Sequence, residues 1–154
     1  MEIEIRKIEN AEEKRRICRV ILEALPEWFG IPEAREEYVR ESADKLFFAA
    51  MDGENPVGFL CLKETGRDTV ELYVMGVLKA RHRTGAGRAL VEAAKRAARE
   101  AGYAFMQVKT VQMGKYAEYD ATNRFYLAMG FKEFEVFPHL WDEWNPCQVY
   151  VMGL

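Results

Sequence analysis

Hydrophobic and polar positions alternate at the start of the chain. Ile3, Ile5 and Ile8 stand among charges, which predicts a half-buried strand over Glu2–Ile8. Asn10 is then a good N-cap, with Glu13 as its capping-box partner. Ile17, Ile21 and Leu25 follow at helical spacing, and that helix stops before Pro26. Pro32 suits the first turn of a second helix, running to about Ala43 with Ala34, Tyr38 and Phe47 inward. The period then shortens. Lys45–Met51 and Val57–Lys63 read as a hairpin around the breaker-rich Asp52–Pro56, and Thr65–Asp68 turns the chain into an apolar, β-branched strand over Val70–Leu78. A helix from about Gly85 to Glu100 has Ala86, Leu90, Ala93, Ala94, Ala97 and Ala101 on its inner face, and Gly102 as its stop. A strand over Tyr103–Val111 follows. Next come a helix from Asp120 or Ala121 to Met129, stopped by Gly130, a strand over Phe131–Phe137, a loop over Pro138–Pro146, and a closing strand over Cys147–Met152.

Three strands joined by tight turns make a meander. The strand–helix–strand that follows implies a parallel pair through a right-handed crossover. The fold class is therefore α/β (α+β), with a mixed, mostly antiparallel central sheet of about seven strands flanked by about four helices, in the order β-α-α-β-β-β-α-β-α-β-β. Parallel strands that part at the Gly-rich end would leave a ligand crevice at their carboxyl ends. The length of 154 residues suits one domain, 1–154. The net charge of −3 excludes a global field toward nucleic acid or membrane. No apolar run approaches the ~20 residues of a membrane span. The charged, alternating start is unlike a signal peptide. Cys18, Cys61 and Cys147, odd in number and far apart, read as reduced thiols of a cytoplasmic protein. His82 and His139 are too isolated to suggest a metal site.

Between the apolar strand and the Ala-rich helix lies a basic loop with two glycines, running from Lys79 to Arg88. A strand feeding a Gly-rich turn at a helix N-terminus makes an anion site. The first N–H groups lack helical partners, and the dipole adds positive charge. Arg81, Arg83 and Arg88 add full charges, and a glycine lets a phosphate approach the backbone. A P-loop would need Lys-Ser or Lys-Thr after Gly87, and a dinucleotide fingerprint would need Gly at position 90, which is Leu. A plain helix start with a solvated basic loop is the alternative.

The stretch His82-Arg83-Thr84-Gly85-Ala86-Gly87, after a strand ending in Val77, resembles the acyl-CoA loop of the GNAT acetyltransferase superfamily. That family most often has Arg or Gln where His82 stands. Phe125-Tyr126-Leu127-Ala128-Met129-Gly130-Phe131 resembles the same superfamily's Phe-Tyr-x-x-x-Gly-Phe signature, and the two motifs occur in the family's order. The resemblance implies N-acetyl transfer from acetyl-CoA to a primary amine by direct attack, without metal. It implies that His82, Arg83, Thr84, Gly85, Ala86, Gly87 and Arg88 hold the pyrophosphate. Met75, Gly76 and Val77 would pair with the pantetheine arm and polarise the thioester. Asn123 is the asparagine nearest the family's further cofactor contact. Tyr126 corresponds to the acid that protonates the departing thiolate; a phenol with pKa near ~10 matches such a leaving group. A half-buried structural tyrosine is the plainer reading. On the helix, Phe125 and Met129 are expected to face the core, with Tyr126 beside that face. Glu71 matches the glutamate base of some members; its alternative is a solvated charge. Strand alternation puts Glu71, Tyr73 and Met75 on one face and Leu72 and Val74 on the other.

The acceptor is open. Trp28, Phe29, Tyr38, Tyr73, Tyr116 and Tyr119, with Trp141, Asp142, Glu143 and Trp144, could wall its site. Aromatics with carboxylates suit a cationic amine, but the same residues could be a hydrophobic plug or a homodimer contact. A non-catalytic acyl-CoA-binding sensor and a protein lysine or N-terminal acetyltransferase are the competing functions.

Overall fold

The computed structural model describes residues 2–154; Met1, the first residue of the span expected to form the domain, lies outside them. The elements are β1 Glu4–Lys7, α1 Ala11–Glu23, α2 Pro32–Ser42, β2 Leu46–Asp52, β3 Asn55–Glu64, β4 Thr69–Val77, α3 Ala86–Glu100, β5 Phe105–Val111, α4 Ala117–Ala128, β6 Lys132–Phe137 and β7 Cys147–Gly153. They form the expected seven-stranded mixed sheet, in the order β1-β2-β3-β4-β5-β7-β6. Pairing is antiparallel for β1–β2, β2–β3, β5–β7 and β6–β7, and parallel for β4–β5. The parallel ladder joins Thr69, Val70 and Glu71 to Phe105, Met106 and Gln107.

The chain divides into two compact units. Unit 1 holds residues 2–63 and Tyr73–Ala97; unit 2 holds Glu64–Leu72 and Ala98–Leu154.

In unit 1 the Asn10 side chain accepts the Glu13 N–H at 2.9 Å, while the Glu13 carboxylate pairs with Arg16, so the capping box is half formed. The buried face of α1 (Ile17, Ile21, Leu22) meets Val39 of α2 and Phe47 and Phe59 of the sheet; the two phenyl rings stack at 5.3 Å. Ala34, expected inward, is exposed, and α2 instead buries Val39 and Ser42. Lys14 is 8% exposed: its stem is covered while its ammonium donates to the carbonyls of Lys45 and Ala43 beyond α2, at 2.7 and 3.3 Å. Phe59 joins the α1 cluster, while a side chain on neighbouring Gly58 would meet Leu90 of α3 at 3.3 Å. Successive strand residues face opposite ways, so α3 covers the face away from α1. The inner stripe of α3 is Ala86, Leu90, Val91, Ala94 and Ala98; Ala93 and Ala97 are half-buried and Ala101 is exposed, a rotation from the expected face.

In unit 2, β7 pairs with β5 along its whole length, from Phe105↔Gly153 to Val111↔Cys147, and carries β6 on its other side. The helix α4 starts earlier than expected, at Ala117, because Asp120 is not its cap: that carboxylate accepts the Gly114 N–H at 2.7 Å. Its buried positions are Asn123 and Tyr126, with Phe125 half-buried and Met129 buried just past its end, so the helix is turned from the expected orientation and Tyr126 faces inward. All three cysteines are free and buried.

Candidate active site

The loop of unit 1 is built by local hydrogen bonds. After β4 the Leu78 N–H donates to Val57 O at 2.9 Å, and a turn of 3-10 helix forms over Lys79–Arg81. His82 Nε2 lies 2.7 Å from Val77 O, and its ring meets the Trp28 ring edge-on at 5.9 Å. Thr84 donates its hydroxyl to Arg81 O at 2.5 Å. His82 and Thr84 thus fasten the loop to itself, a job that spacing did not reveal.

The conformation is demanding. Arg83 has φ +64°, the left-handed region that non-glycine residues enter at a cost, and Gly85 has φ +92°. These two reversals lead directly into α3, whose N–H groups from Ala86 to Arg88 have no carbonyl one turn back. Left-handed residues next to a helix start gather N–H groups into an anion-binding concavity.

The cations of this loop divide. Arg81 is paired with Asp52, and Lys79 with Glu27 at 2.7 Å, which holds the Glu27 carboxyl below its ordinary value. Arg83 and Arg88 are exposed and have no ion-pair partner among the described residues. Two of the loop's charges are therefore spent on structure and two face outward from the helix start.

Met75, Gly76 and Val77 end β4. Alternation does not hold here. Both Tyr73 and Val74 pack with the α1–α2 cluster, and a Cβ on Gly76 would point at Leu25 Cδ1 and Ile21 Cγ2, at 2.9 and 3.0 Å. The expected division of Tyr73 with Met75 against Val74 is corrected: Val74 and Gly76 face α1, and the strand slips between Tyr73 and Val74. The irregular backbone follows from packing against α1, which strand periodicity does not contain.

In unit 2, Glu71 is 7% exposed, so it is not the solvated charge of its plainer reading. Lys109 Nζ lies 3.2 Å from its carboxylate. A charge this buried needs such a partner. Lys109 was missed in the sequence, although it stands two residues beyond Gln107, the β5 partner of Glu71, and so on the same face.

Asn123 is fully buried, and its amide is engaged within the protein. Nδ2 donates to Val111 O at 2.8 Å and Tyr119 O at 2.7 Å, while Oδ1 accepts the Tyr150 hydroxyl at 2.5 Å. In this structure the Asn123 side chain is a buried tie among β5, α4 and β7. Tyr126 is 7% exposed; its ring meets Phe131 edge-on at 5.7 Å and Tyr150 at a tilt at 6.3 Å. Those rings fix the direction of the phenol.

A family model described as an acetyltransferase (GNAT) domain matches residues 43–133. The span contains both the loop and the Phe-Tyr motif. The chain belongs to the GNAT acetyltransferase superfamily. No protein of curated function matches. Among solved structures, a GNAT-family protein from Desulfovibrio desulfuricans has a TM-score of 0.83 at 23% identity, covering 99% of each chain. The PaiA N-acetyltransferase from Thermoplasma acidophilum, in complex with coenzyme A, has a TM-score of 0.71 at 19% identity, covering 97% of this chain and 98% of that one. An aminoglycoside 6'-N-acetyltransferase complexed with coenzyme A has a TM-score of 0.76 at 18% identity, covering 97% and 96%. At these identities the likeness shows a shared GNAT fold.

The residues suggested for an acceptor wall are spread over the GNAT chain. Trp28, Phe29, Tyr38 and Tyr73 lie in unit 1, half-buried against its core, which is the plug reading. Tyr116, Tyr119 and the 138–146 loop lie in unit 2. In that loop Asp142 accepts the N–H groups of Trp144 and Asn145, both at 2.8 Å, and the Asn145 side chain; these bonds hold its carboxyl below the ordinary value, Asn145 foremost. Trp141 and Trp144 are exposed on this closed turn.

Proposed function

We propose that this GNAT domain transfers the acetyl group of acetyl-CoA to a primary amine by direct attack. The observation that carries the reading is the loop before α3: Arg83 strained at positive φ, Gly85 free to adopt it, open N–H groups from Ala86 to Arg88, and two arginines without ion-pair partners among the described residues, within the span that matches an acetyltransferase family. In this reading Arg83 and Arg88 bind the pyrophosphate with the backbone of Thr84–Gly87. Met75, Gly76 and Val77 align the pantetheine arm. His82 shapes the loop.

The amine arrives as an ammonium and gives one proton to Glu71, which passes it to solvent; Lys109 positions that carboxylate. The free nitrogen attacks the thioester carbon, and the C–S bond breaks as the C–N bond forms. Tyr126 protonates the thiolate and recovers a proton from the new amide nitrogen. The products are the acetamide, CoA thiol and one released proton.

Calorimetric titration with acetyl-CoA tests the binding step. Saturable binding is expected, weakened about 10²–10⁴-fold in Arg83→Ala/Arg88→Ala, since two charge-assisted contacts worth roughly 1.5–3 kcal/mol each are lost. Binding that the double variant leaves untouched, or none at millimolar acetyl-CoA, would reject the loop's role.

A further inference from the structure

The loop before α3 begins against the end of the β2–β3 hairpin, in the same unit. Asp52 closes β2 and pairs with Asn55 across a two-residue turn, where Gly53 has φ +61°. Arg6 donates to Gly53 O at 3.2 Å and so ties this turn to β1. The ladder slips beside the turn. Met51 faces Pro56 and Ala50 faces Gly58, which leaves Val57 as an extra residue on β3. A bulge of this kind bends a strand and re-aims the groups near it. Here the carbonyl of the extra residue accepts the Leu78 N–H at 2.9 Å, where β4 gives way to the loop.

The second contact is ionic. Arg81 Nη2 lies 2.5 Å from Asp52 Oδ2, across 29 residues of chain. The two side chains are 21% and 26% exposed, so solvent screens them less than a surface pair. Arg81 also organises the backbone beyond it. Its N–H donates to Leu78 O at 2.8 Å, and its carbonyl accepts the Thr84 hydroxyl at 2.5 Å and the Thr84 N–H at 3.3 Å. Arg83, at φ +64°, lies inside the turn that these bonds close. Gly85 follows at φ +92°, and its carbonyl accepts the Ala89 N–H at 3.0 Å in the first turn of α3. A left-handed arginine persists only where its surroundings hold it. The bonds at Arg81 are the nearest of those surroundings, and Asp52 anchors the Arg81 side chain.

We infer that Asp52 is a positioning residue of the cofactor loop: through Arg81 it holds the Arg81–Thr84 turn in the form that opens the N–H groups of Ala86, Gly87 and Arg88 toward a pyrophosphate. The inference rests on the acetyltransferase reading above, and it adds that cofactor affinity is set in part from the β2–β3 hairpin. The physical argument is one of populations. A loop that holds its binding form for only a fraction of the time binds more weakly by that fraction. Without the ion pair, the turn is free to leave the left-handed form at Arg83, and the N–H groups then no longer converge. Arg81 therefore has a different job from Arg83 and Arg88. It shapes the site that they charge.

The test compares acetyl-CoA with S-acetylpantetheine, a thioester that lacks the pyrophosphate and the nucleotide. Binding of each to the full chain is measured by calorimetry, with the urea midpoint of every variant alongside. Asp52→Asn is expected to weaken acetyl-CoA binding about tenfold and to leave S-acetylpantetheine binding as it was. Asp52→Glu, which keeps the charge, is expected to recover most of the loss. Arg81→Met is expected to cost the same factor as Asp52→Asn, and the double variant no more than either, because both break one pair. Equal weakening of the two thioesters would mean general damage to the domain and would overturn the inference. Unchanged acetyl-CoA binding in Asp52→Asn overturns it too, as do losses that multiply in the double variant. Arg81→Met reads the same pair from its other end, so an Asp52→Asn chain that fails to fold cannot shelter the inference. If S-acetylpantetheine binds too weakly to measure, the cycle on acetyl-CoA decides alone. Each of these failures leaves the loop reading standing as long as Arg83→Ala/Arg88→Ala weakens acetyl-CoA binding. A wild-type chain that binds no acetyl-CoA would remove that reading, and the role of Asp52 with it.

Discussion

At the scale of single residues, a side chain's partners decide its role. Tyr126 and Asn123 stand one turn apart on α4, both buried, and they separate cleanly in what they predict. Tyr126→Phe keeps the ring that packs on Phe131 and Tyr150, so the fold is expected to be retained. Loss of a general acid is expected to lower kcat by about 10²–10⁴ while the Kd for acetyl-CoA stays within about twofold. A variant with wild-type turnover would remove Tyr126 from the chemistry. Asn123→Ala is expected to act on stability instead. It strands the Val111 and Tyr119 carbonyls and the Tyr150 hydroxyl, for roughly 2–4 kcal/mol. Urea unfolding measures this; a shift under about 0.5 kcal/mol would mean that water replaces the amide. The Phe-Tyr motif was legible in the sequence because its spacing is local. The engagement of Asn123 was not, because its partners lie on three separate elements.

At the scale of elements, position and type follow the pattern, and orientation follows the neighbours. The alternation of β2 and β3 and the Ala-rich run of α3 placed these elements closely. The faces of α2, α3 and α4 were each rotated from expectation, because alanines and mixed polar residues define an apolar stripe weakly. Gly76 shows where contact overrides periodicity. Its missing side chain lets α1 sit on β4, and Gly76→Ala would press a methyl group against Leu25 and Ile21 at 2.9 and 3.0 Å. Overpacking of this kind costs about 1–3 kcal/mol. The expected outcome is a lower urea midpoint and weaker acetyl-CoA binding together, since the shifted strand end leads into the loop. A variant with normal stability would show that α1 yields freely.

At the scale of the whole molecule, the buried thiols link stability to pH. Burial pushes the Cys18 thiol up to about 12 and the Cys147 thiol up to about 11, and raises Cys61 in the same direction. An unfolded thiol titrates near ~8.5. Below that value both states hold the proton, and the thiols' contribution is fully present. As pH rises past about 9 the unfolded chain ionises while the folded one does not. Stability then falls by up to about 1.4 kcal/mol per thiol per pH unit, until each folded value is passed. Urea midpoints of wild type and Cys18→Ala between pH 8 and 10.5 measure this, with a shallower decline expected in the variant. Equal slopes would mean that Cys18 ionises alike in both states.

By itself the sequence determined the order and type of the elements, the sheet class they build and the two local motifs that mark the family, because each is written in short-range spacing, turn residues and glycines. It also determined a chain in which no helix of the described residues is long and apolar enough to cross a membrane. Only the tertiary structure decided which charges are spent and which remain. Asp52 takes Arg81, Lys109 holds Glu71, and Asn123 turns inward, while among the described residues Arg83 and Arg88 have no ion-pair partner and the Arg35 Nε no hydrogen-bond partner. The physical reason is that a charge or a hydrogen-bonding group is defined by what meets it, and these partners come together across intervals of tens of residues, where no periodicity records them.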